Sequence, residues 1–513
     1  MEPDERQLFN NETLSNKDDR ISKKVKMIDL LPQLAASCLM YSLVIQAGIN
    51  MSFASVLISQ LGDGNEIKMD TKTASIIGSI WSISLPFGAI SSGFLMDKFG
   101  RRKIGMFLCV PFFLAWILVS VSQSLTQIYL ARILAGICCG LTAVSVVYSA
   151  EISYKTFRSS LLCMNSVWVS FGIFSTYLLN YFHLNWRFIG WIYAIVSLSS
   201  MILILIVPES PHWILYFNNK SSDEQKYSQL KSCVAWIYRS PKIASVQYDE
   251  LIQNYERHNE EQRTNQNEQQ HWINGIKLPQ VYKPLSILII LFLLQQLSGG
   301  YILIFYTINI FRNLGNEFLT TVDENLASLL LGTIRLIMAI IAAVLSQRCN
   351  RKTLLYASTI GMTLFAYMAA IKMWNSDHAG HSFFSKSSNT SQVVPLETEA
   401  SNFGNYFLLT CILAYILFAS LGILIIPWTC IAELYSIKYK ASFGGLTVAI
   451  AYILMSAVLK IFPFMIDSLD IYVIFFIFGT SSLLCCIFVY YFLPETHRKT
   501  FSEIENYFIG RNQ

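Results

Sequence analysis

Twelve stretches of this chain are long and apolar enough to cross a lipid bilayer. They lie near residues 33–60, 73–95, 104–123, 126–150, 159–182, 188–207, 284–311, 325–346, 353–373, 404–430, 441–466 and 471–493. A hydrocarbon core of roughly 30 Å takes about 20 apolar residues per helix. Inside it every backbone N–H and C=O must be bonded by the protein itself. Together these predict an all-α integral membrane protein with twelve transmembrane helices, for which the bilayer is solvent and partner. Charged residues make up 14% of the chain, against roughly 25% in a soluble domain. The net charge of +5 is accounted for by basic loops, so no nucleic-acid partner is expected.

A polar block at 208–282 divides the runs into six and six. The expected organisation is a tail (1–28), a six-helix bundle (29–207), a central loop with short helices (208–282), a second bundle (283–493) and a tail (494–513). The first 28 residues lack the apolar core and cleavage site of a signal peptide, so the first span is expected to act as its own insertion signal. Lys and Arg concentrate in alternate loops, at Lys98, Arg101, Arg102, Lys103, Lys155, Arg158, Arg348, Arg351, Lys352, Lys438 and Lys440. The other loops carry Asp63, Glu66, Asp70, Glu317, Asp323, Glu324 and Asp377 beside fewer cations. That bias predicts a multi-pass plasma-membrane protein with both termini and the central block cytoplasmic. Asn389-Thr390-Ser391, in the polar loop 375–403, is then a glycosylation acceptor on the outer side. In the central block, Ser222 before Asp223 and Glu224 marks a helix start; Tyr227, Leu230, Val234 and Ile237 follow at helical spacing. The cysteines form no CxxC or Cys/His cluster, so no metal, cofactor or disulfide framework is expected. No nucleophile elbow, phosphate-binding loop or His/acid cluster suggests an enzyme.

The two halves echo each other. Asp97-Lys-Phe-Gly100-Arg101-Arg102 ends the second span, and Gln347-Arg-Cys-Asn350-Arg351-Lys352 ends its counterpart. Glu151 precedes Arg158 by the same interval that separates Glu433 from Lys440. Pro208-Glu209-Ser210 closes one half and Pro494-Glu495-Thr496 the other. Matched signals in the same order indicate a parallel repeat.

With these motifs, GFLMDKFGRRK, YSAEISYKTFR, VPESP, QQLSG, PWTCIAEL and LPETHRKTFSEIE, the chain resembles the sugar-porter branch of the major facilitator superfamily from about residue 33 to 507. Within it the chain is most similar to facilitated trehalose and glucose transporters. The resemblance implies the major facilitator fold, two pseudo-symmetric six-helix bundles around a cavity that opens alternately to each side. It implies a monomer as the functional unit and a sugar as substrate. It also implies an inner gate made of Asp97, Gly100, Arg101, Arg102, Glu151, Arg158, Arg351, Lys352, Glu433 and Lys440. A gate biases the equilibrium only through contacts that differ between states, so ion pairs formed on closure are expected there. Gln347 and Asn350 replace the acid and glycine of the motif, which makes that gate weaker on the second bundle.

Polar groups inside a membrane are functional candidates by default. Gln295 and Gln296 point about 100° apart on a helix, so one is expected to face the cavity and the other to bond between helices. Amides donate and accept, which suits a neutral polyol. Tyr301, Tyr306 and Trp428 offer flat faces to sugar C–H groups and polar edges to hydroxyls. Ser166 aligns with a glutamine of the family. Several family groups are replaced: Gly300-Tyr301 stands for Ile-Asn, Ala451 for an asparagine, Val146 for a proline. Arg335 stands near mid-helix where the family has an asparagine, with Gly332, Ala339, Ala342 and Ser346 on its face. It is either a structural partner for carbonyls or an acid, or an anchor for an anionic group. The first span has Gln46 and Asn50 but no acid between Leu31 and Leu61, which favours facilitated diffusion over proton coupling. The alternatives are a facilitator of an anionic or non-hexose solute held by Arg335, and a non-transporting nutrient receptor on the same fold.

Overall fold

The structure, a computed structural model, describes residues 31–63, 70–154, 157–218, 222–264, 278–317, 323–384, 397–435, 437–496 and 501–509. The first bundle comprises α1 (Leu31–Asp63), α2 (Thr71–Phe99), α3 (Arg101–Ser120), α4 (Leu125–Leu141) with its continuation α5 (Ala143–Ile152), α6 (Arg158–Tyr181) and α7 (Trp186–Leu205). Then come α8 (Pro211–Tyr216), α9 (Asp223–Ile237) and α10 (Pro241–Thr264). The second bundle starts with a rod in three pieces, α11 (Pro279–Leu297), α12 (Gly300–Phe305) and α13 (Thr307–Glu317). It goes on through α14 (Glu324–Arg348), α15 (Arg351–Phe384), α16 (Glu397–Leu421) with its continuation α17 (Ile426–Leu434), α18 (Ile437–Ser468) and α19 (Ile471–Phe492), and the short α20 (Phe501–Ile509) follows. Twelve of these rods are long and apolar enough to span a bilayer, as their hydropathy predicts.

The outer surface shows why such a chain needs lipid. Phe87, Ile90, Phe94, Phe107 and Ile195 are each about two-thirds exposed, a belt that water would penalise and hydrocarbon does not. By contrast 94% of the apolar window of α1 is buried, against 39% for α7, so α1 lies inside and α7 on the lipid side. Across the seam between bundles, α2 packs along α18 and α6 along α14, while α12 and α13 lean on α1.

One end of the molecule holds Arg101, Glu151, Arg351 and Glu433 and is called the charged end; the opposite one is the far end. Several helices entering from the far end have acid or amide caps. Asp70 accepts from Thr73 N at 2.8 Å, Asn185 from Arg187 N at 2.9 Å and Asp323 from Asn325 N at 3.0 Å, satisfying first-turn donors.

Three rods are less regular than their apolar runs suggest. The run at 126–150 is interrupted at Thr142, whose hydroxyl bonds back to the Cys139 carbonyl at 2.6 Å. The α11–α13 rod breaks at Gly299, where φ is +81°, a backbone conformation that favours glycine. The α16–α17 rod breaks between Leu421 and Ile426. The loop expected at 375–403 is shorter than hydropathy indicates, because α15 continues to Phe384 and α16 begins at Glu397. Asn375 to His381 end the apolar pattern without ending the helix. Asn389 and the tail 1–28 lie outside the described residues.

In the central block α9 starts after Ser222 and buries Leu230, Val234 and Ile237 of the predicted stripe together with Cys233, while Tyr227 is half-buried. The Cys233 thiol donates to the Glu209 carbonyl at 3.0 Å, which fixes α9 beneath the charged end.

Candidate functional site

The broken rods meet in the middle of the second bundle. The α16–α17 break leaves backbone groups that lipid cannot bond, and side chains from neighbouring rods take them. Gln295 Nε2 donates to the Ile423 carbonyl at 2.5 Å, and Ile423 N donates to Ser358 Oγ at 3.0 Å. At the α11–α12 break the Tyr415 hydroxyl donates to the Ser298 carbonyl. Of the two amides, Gln295 therefore makes the bond between helices. Gln296 Nε2 reaches Gln295 Oε1 at 3.5 Å, and both amides are fully buried.

Beside them stands an aromatic group. Trp428 Nε1 donates to the Tyr301 hydroxyl at 2.9 Å. Phe292 meets the Trp428 ring edge-on at 4.9 Å between centroids, and Tyr452 lies tilted against it at 5.3 Å. Trp428, Tyr452 and Ser166 remain half-buried while Tyr301 is buried. Such rings give a polyol flat apolar faces with polar edges. Tyr306 is placed differently: its hydroxyl donates to the Leu459 carbonyl of α18 at 2.9 Å, so it ties α12 to α18.

Two buried cations flank this region. Arg132, in α4, donates from Nη1 to Asn50 O at 2.9 Å and reaches Asn50 Oδ1 at 3.4 Å. Arg335, in α14, is 4% exposed, and its Nε and Nη1 have no hydrogen-bond partner among the described residues. Its titratable neighbours are Tyr301 of the second bundle and Tyr177 of the first. In α1 Gln46 is already engaged, accepting from Trp116 Nε1 at 2.7 Å and donating to Ser197 Oγ at 3.0 Å.

The far end is stitched across the seam. The Tyr177 hydroxyl donates to the Ile304 carbonyl at 2.6 Å and lies 2.7 Å from Thr307 Oγ1. Ile308 N donates to Ser55 Oγ at 2.9 Å, and Arg312 Nη2 to Ser59 Oγ at 2.8 Å. Asn180 Nδ2 donates to Asn325 Oδ1 at 2.7 Å, and Ser75 Oγ to Lys460 O at 2.6 Å. The α12–α13 half-rod is thus pinned to the first bundle.

At the charged end the two halves build the same device. Arg101 Nη2 pairs with Glu151 Oε1 at 2.8 Å, and Arg351 Nη2 with Glu433 Oε1 at 2.8 Å. The Ser210 hydroxyl donates to Glu151, and Thr496 Oγ1 to Glu433 Oε2 at 2.5 Å. Glu209 accepts from the backbone N–H of Arg101 and Arg102 at 2.8 and 3.0 Å, capping α3. Glu495 does the same for Arg351 and Lys352 at 3.1 Å each, capping α15. A carboxylate there also meets the positive end of the helix dipole. Burial pushes the Glu209 carboxyl up, opposed by these N–H donors. Gly100 has φ +95°, and a Cβ there would lie 2.4 Å from Glu209 Oε2, so the glycine of the motif makes room for the cap.

These ion pairs run within each bundle, not between bundles as a closing gate suggests; the carboxylates that the arginines reach sit on the ends of their own bundle's rods. The remaining expected gate cations also bond at home: Arg158 Nη2 to Ala150 O at 3.0 Å, Arg102 Nη2 to Leu205 O at 2.6 Å and Lys352 Nζ to Tyr490 O at 3.4 Å. Asp97 adds a 3.3 Å contact to Arg101; the side chains of Gln347 and Lys440 lie outside the described residues. A bond that does cross the seam at this end joins Cys163 Sγ to Ser346 Oγ at 3.1 Å. The sequence motifs mark the arginines, acids and amides. They do not mark Ser358, Tyr415, Tyr177 or Ser55, which are single polar residues in apolar runs with no pattern to single them out.

Comparison with known proteins matches residues 27–508 to the family described as sugar (and other) transporter. The facilitated trehalose transporter Tret1 of Drosophila willistoni is 26% identical over 93% of this chain and 51% of its own length. Tret1 of Drosophila virilis is 27% identical over 86% of this chain and 44% of its own. The chain spans about half the length of the curated relatives it matches. Among solved structures, the proton:xylose symporter XylE bound to 6-bromo-6-deoxy-D-glucose superposes with a TM-score of 0.71 at 18% identity, covering 94% of this chain and 100% of that one. The inward-open xylose transporter XylE from E. coli gives 0.66 at 18% identity, over 93% and 98%.

Proposed function

This chain belongs to the sugar (and other) transporter family, and on that premise we propose that it is a facilitative carrier, a uniporter that moves a sugar such as trehalose or glucose across a membrane by alternating access. It is a multi-pass protein of the major facilitator fold. In this reading the charged end faces the cytoplasm of the plasma membrane with both termini, and the monomer is the working unit. No catalytic role is assigned to any residue.

The observation that carries the reading is the three-piece rod α11–α13. Its far pieces are bonded to the first bundle through Tyr177, Ser55 and Ser59, while its near piece bonds the α16–α17 break through Gln295 and meets the Trp428 ring through Phe292. A rod hinged at Gly299 can release the far seam without unmaking the near one, which alternating access requires. The Drosophila relatives are described as facilitated trehalose transporters. The absence of an acid between Leu31 and Leu61 and the structural engagement of Gln46 and Asn50 support uniport over proton coupling.

Within this reading the inner gate is rebuilt as two rigid rims. Each Arg–Glu–hydroxyl set, Arg101–Glu151–Ser210 and Arg351–Glu433–Thr496, fixes the end of its own bundle, with Asp97, Gly100, Arg102, Arg158 and Lys352 around them. The rims then close as bodies. Gln296, Tyr301, Trp428 and Ser166 are the solute contacts; Gln295 and Tyr306 hold helices in place. Uptake of labelled trehalose and glucose into vesicles containing the purified protein tests the function. Saturable flux that ignores an imposed pH gradient is the expected result; flux driven by that gradient, or none, overturns it.

A further inference from the structure

Among the described residues no acid pairs with Arg335. It lies 4% exposed in the middle of α14, too far from either helix end to reach water along its own stem. Among the described residues its titratable neighbours are two phenols, Tyr301 and Tyr177. Both hydroxyls already have partners: Tyr301 accepts from Trp428, and Tyr177 donates to Ile304 O. Nε and Nη1 of the guanidinium are left without any acceptor.

Arg132, the comparable cation of the first bundle, also leaves Nε and Nη2 without an acceptor among the described residues, but its Nη1 is held by the backbone and side chain of Asn50. Arg335 lacks such an anchor. Its surroundings are small on one side: Ala339 and Ala342 lie one and two turns along the same helix and pack with Ile425 and Val167. On the other side stands the Tyr301–Trp428 pair. A buried cation without an acceptor is strongly unfavourable, and a planar guanidinium donates in a fork that fits a carboxylate in two parallel bonds.

We propose that Arg335 is the anion-recognising group of the central site, so that its solutes include polyhydroxylated monocarboxylates, the uronic and aldonic acids of sugars. This rests on the carrier reading above and narrows its substrate class. One carboxylate oxygen supplies the acceptor that Nε lacks while the other takes Nη2, the side-on fork that Arg101 and Arg351 make with Glu151 and Glu433. The hydroxylated body lies against Trp428 and Tyr301 with Gln296 in reach. No other group moves with the solute, so each transported sugar acid carries one negative charge across the membrane, and its flux responds to voltage.

The test uses the full chain in vesicles loaded with unlabelled solute. Labelled D-glucuronate and D-gluconate are compared with labelled D-glucose and trehalose, at zero potential and with the vesicle interior held positive by a potassium gradient and valinomycin. Expected are saturable sugar-acid uptake that an interior-positive potential accelerates and a drop of at least tenfold in the ratio of sugar-acid to neutral-sugar flux in Arg335→Gln. Arg335→Lys, which keeps the charge but not the fork, falls between. Neutral-sugar flux without sugar-acid flux overturns the anion site and leaves the carrier reading standing. No flux of any solute defeats the carrier reading; the anion site is then judged on the wild-type protein alone, by whether glucuronate raises its melting temperature. A wild-type protein whose melting temperature ignores glucuronate and gluconate overturns the proposal whatever the variants do.

Discussion

The indole Nε1 of Trp428 donates to the phenolic oxygen of Tyr301 across 2.9 Å. The bond ties the half-rod α17 to the half-rod α12, each of which begins just after a helix break. The two breaks are therefore coupled through the same pair of side chains that faces the half-buried centre. Movement at Gly299 that keeps this bond repositions the Trp428 ring.

Two substitutions separate the ring face from the bond. Trp428→Ala removes the flat surface between Phe292 and Tyr452 and is expected to raise KM for the transported sugar at least tenfold. Tyr301→Phe keeps a ring but removes the acceptor. An unpaired buried donor costs about 1–3 kcal/mol; Trp428 is half-buried, so the lower end applies and a KM change of about fivefold is expected. Initial rates in vesicles check both. Equal effects from the two changes would mean that the bond, not the ring face, is what the solute senses.

The paired rims make a prediction about additivity. Arg101 and Arg351 side chains are only 6% and 4% exposed, and breaking a buried pair by neutralising one partner costs about 3–5 kcal/mol. The discount is larger for Glu433, whose side chain is 26% exposed against 15% for Glu151. Glu151→Gln and Glu433→Gln should each lower the melting temperature, the first by more. Because the pairs lie in different bundles, the double variant should equal the sum within about 0.5 kcal/mol. A coupling well above that would place the two sets in one network across the seam.

The twelve rods and the two-bundle architecture were legible because lipid leaves so few solutions: length and hydropathy alone fix helix number. The repeat was legible in Arg101 and Arg351, Glu151 and Glu433, Ser210 and Thr496, which the fold brings into the same triad twice. What the sequence did not disclose was direction. Arg101 reaches Glu151 of its own bundle, and nothing in the spacing separates that from a partner across the seam. Tyr301 and Tyr306 look alike in sequence, yet one faces Trp428 and the other the Leu459 carbonyl, because five residues of helix turn them about 140° apart. The breaks themselves are patched by Ser358 and Tyr415, whose positions match no period. Arg335 stood out by its charge alone, and its lack of an acceptor is visible only once every neighbouring rod is in place.

His212 gives the charged end a pH dependence with a definite sign. It stacks on Tyr216 at 6.3 Å, and its buried Nδ1 has no partner among the described residues. Burial holds its pKa below the ordinary value; the Glu151 carboxylate opposes this, and the Arg158 and Arg101 cations add to it. A depressed histidine stays neutral in the folded protein while the unfolded chain binds a proton near pH 6.5. Its neutral form therefore costs nothing above about pH 6.5, and stability is lost as pH falls below that value. The melting temperature of the wild type should drop between pH 7.5 and 5.5 by more than that of His212→Phe. The Glu209 carboxyl, shifted upward, acts in the opposite direction, so the comparison with the variant isolates the histidine. An equal drop in both proteins would assign the dependence to other groups.

The far seam offers a way to shift the balance between states by one hydroxyl. Tyr177 is buried, and its hydroxyl donates across the bundles to the Ile304 carbonyl while lying against Thr307. Tyr177→Phe removes that donor and keeps the ring that packs beside Gly332. A net hydrogen bond contributes about 0.5–1.5 kcal/mol, so the population with an open far end should grow by roughly two- to tenfold. The bond exists only while the seam is closed, which is what gives it leverage over the equilibrium. A cysteine placed at Ser55, which accepts from Ile308 N in the same seam, reports the change through its rate of alkylation by a membrane-impermeant reagent from the far side. The rate should rise by the same factor in a Tyr177→Phe background relative to Ser55→Cys alone. An unchanged rate would mean that the seam is held shut by Arg312 and Asn180 without help from Tyr177, and a slower one that the hydroxyl serves the open state instead.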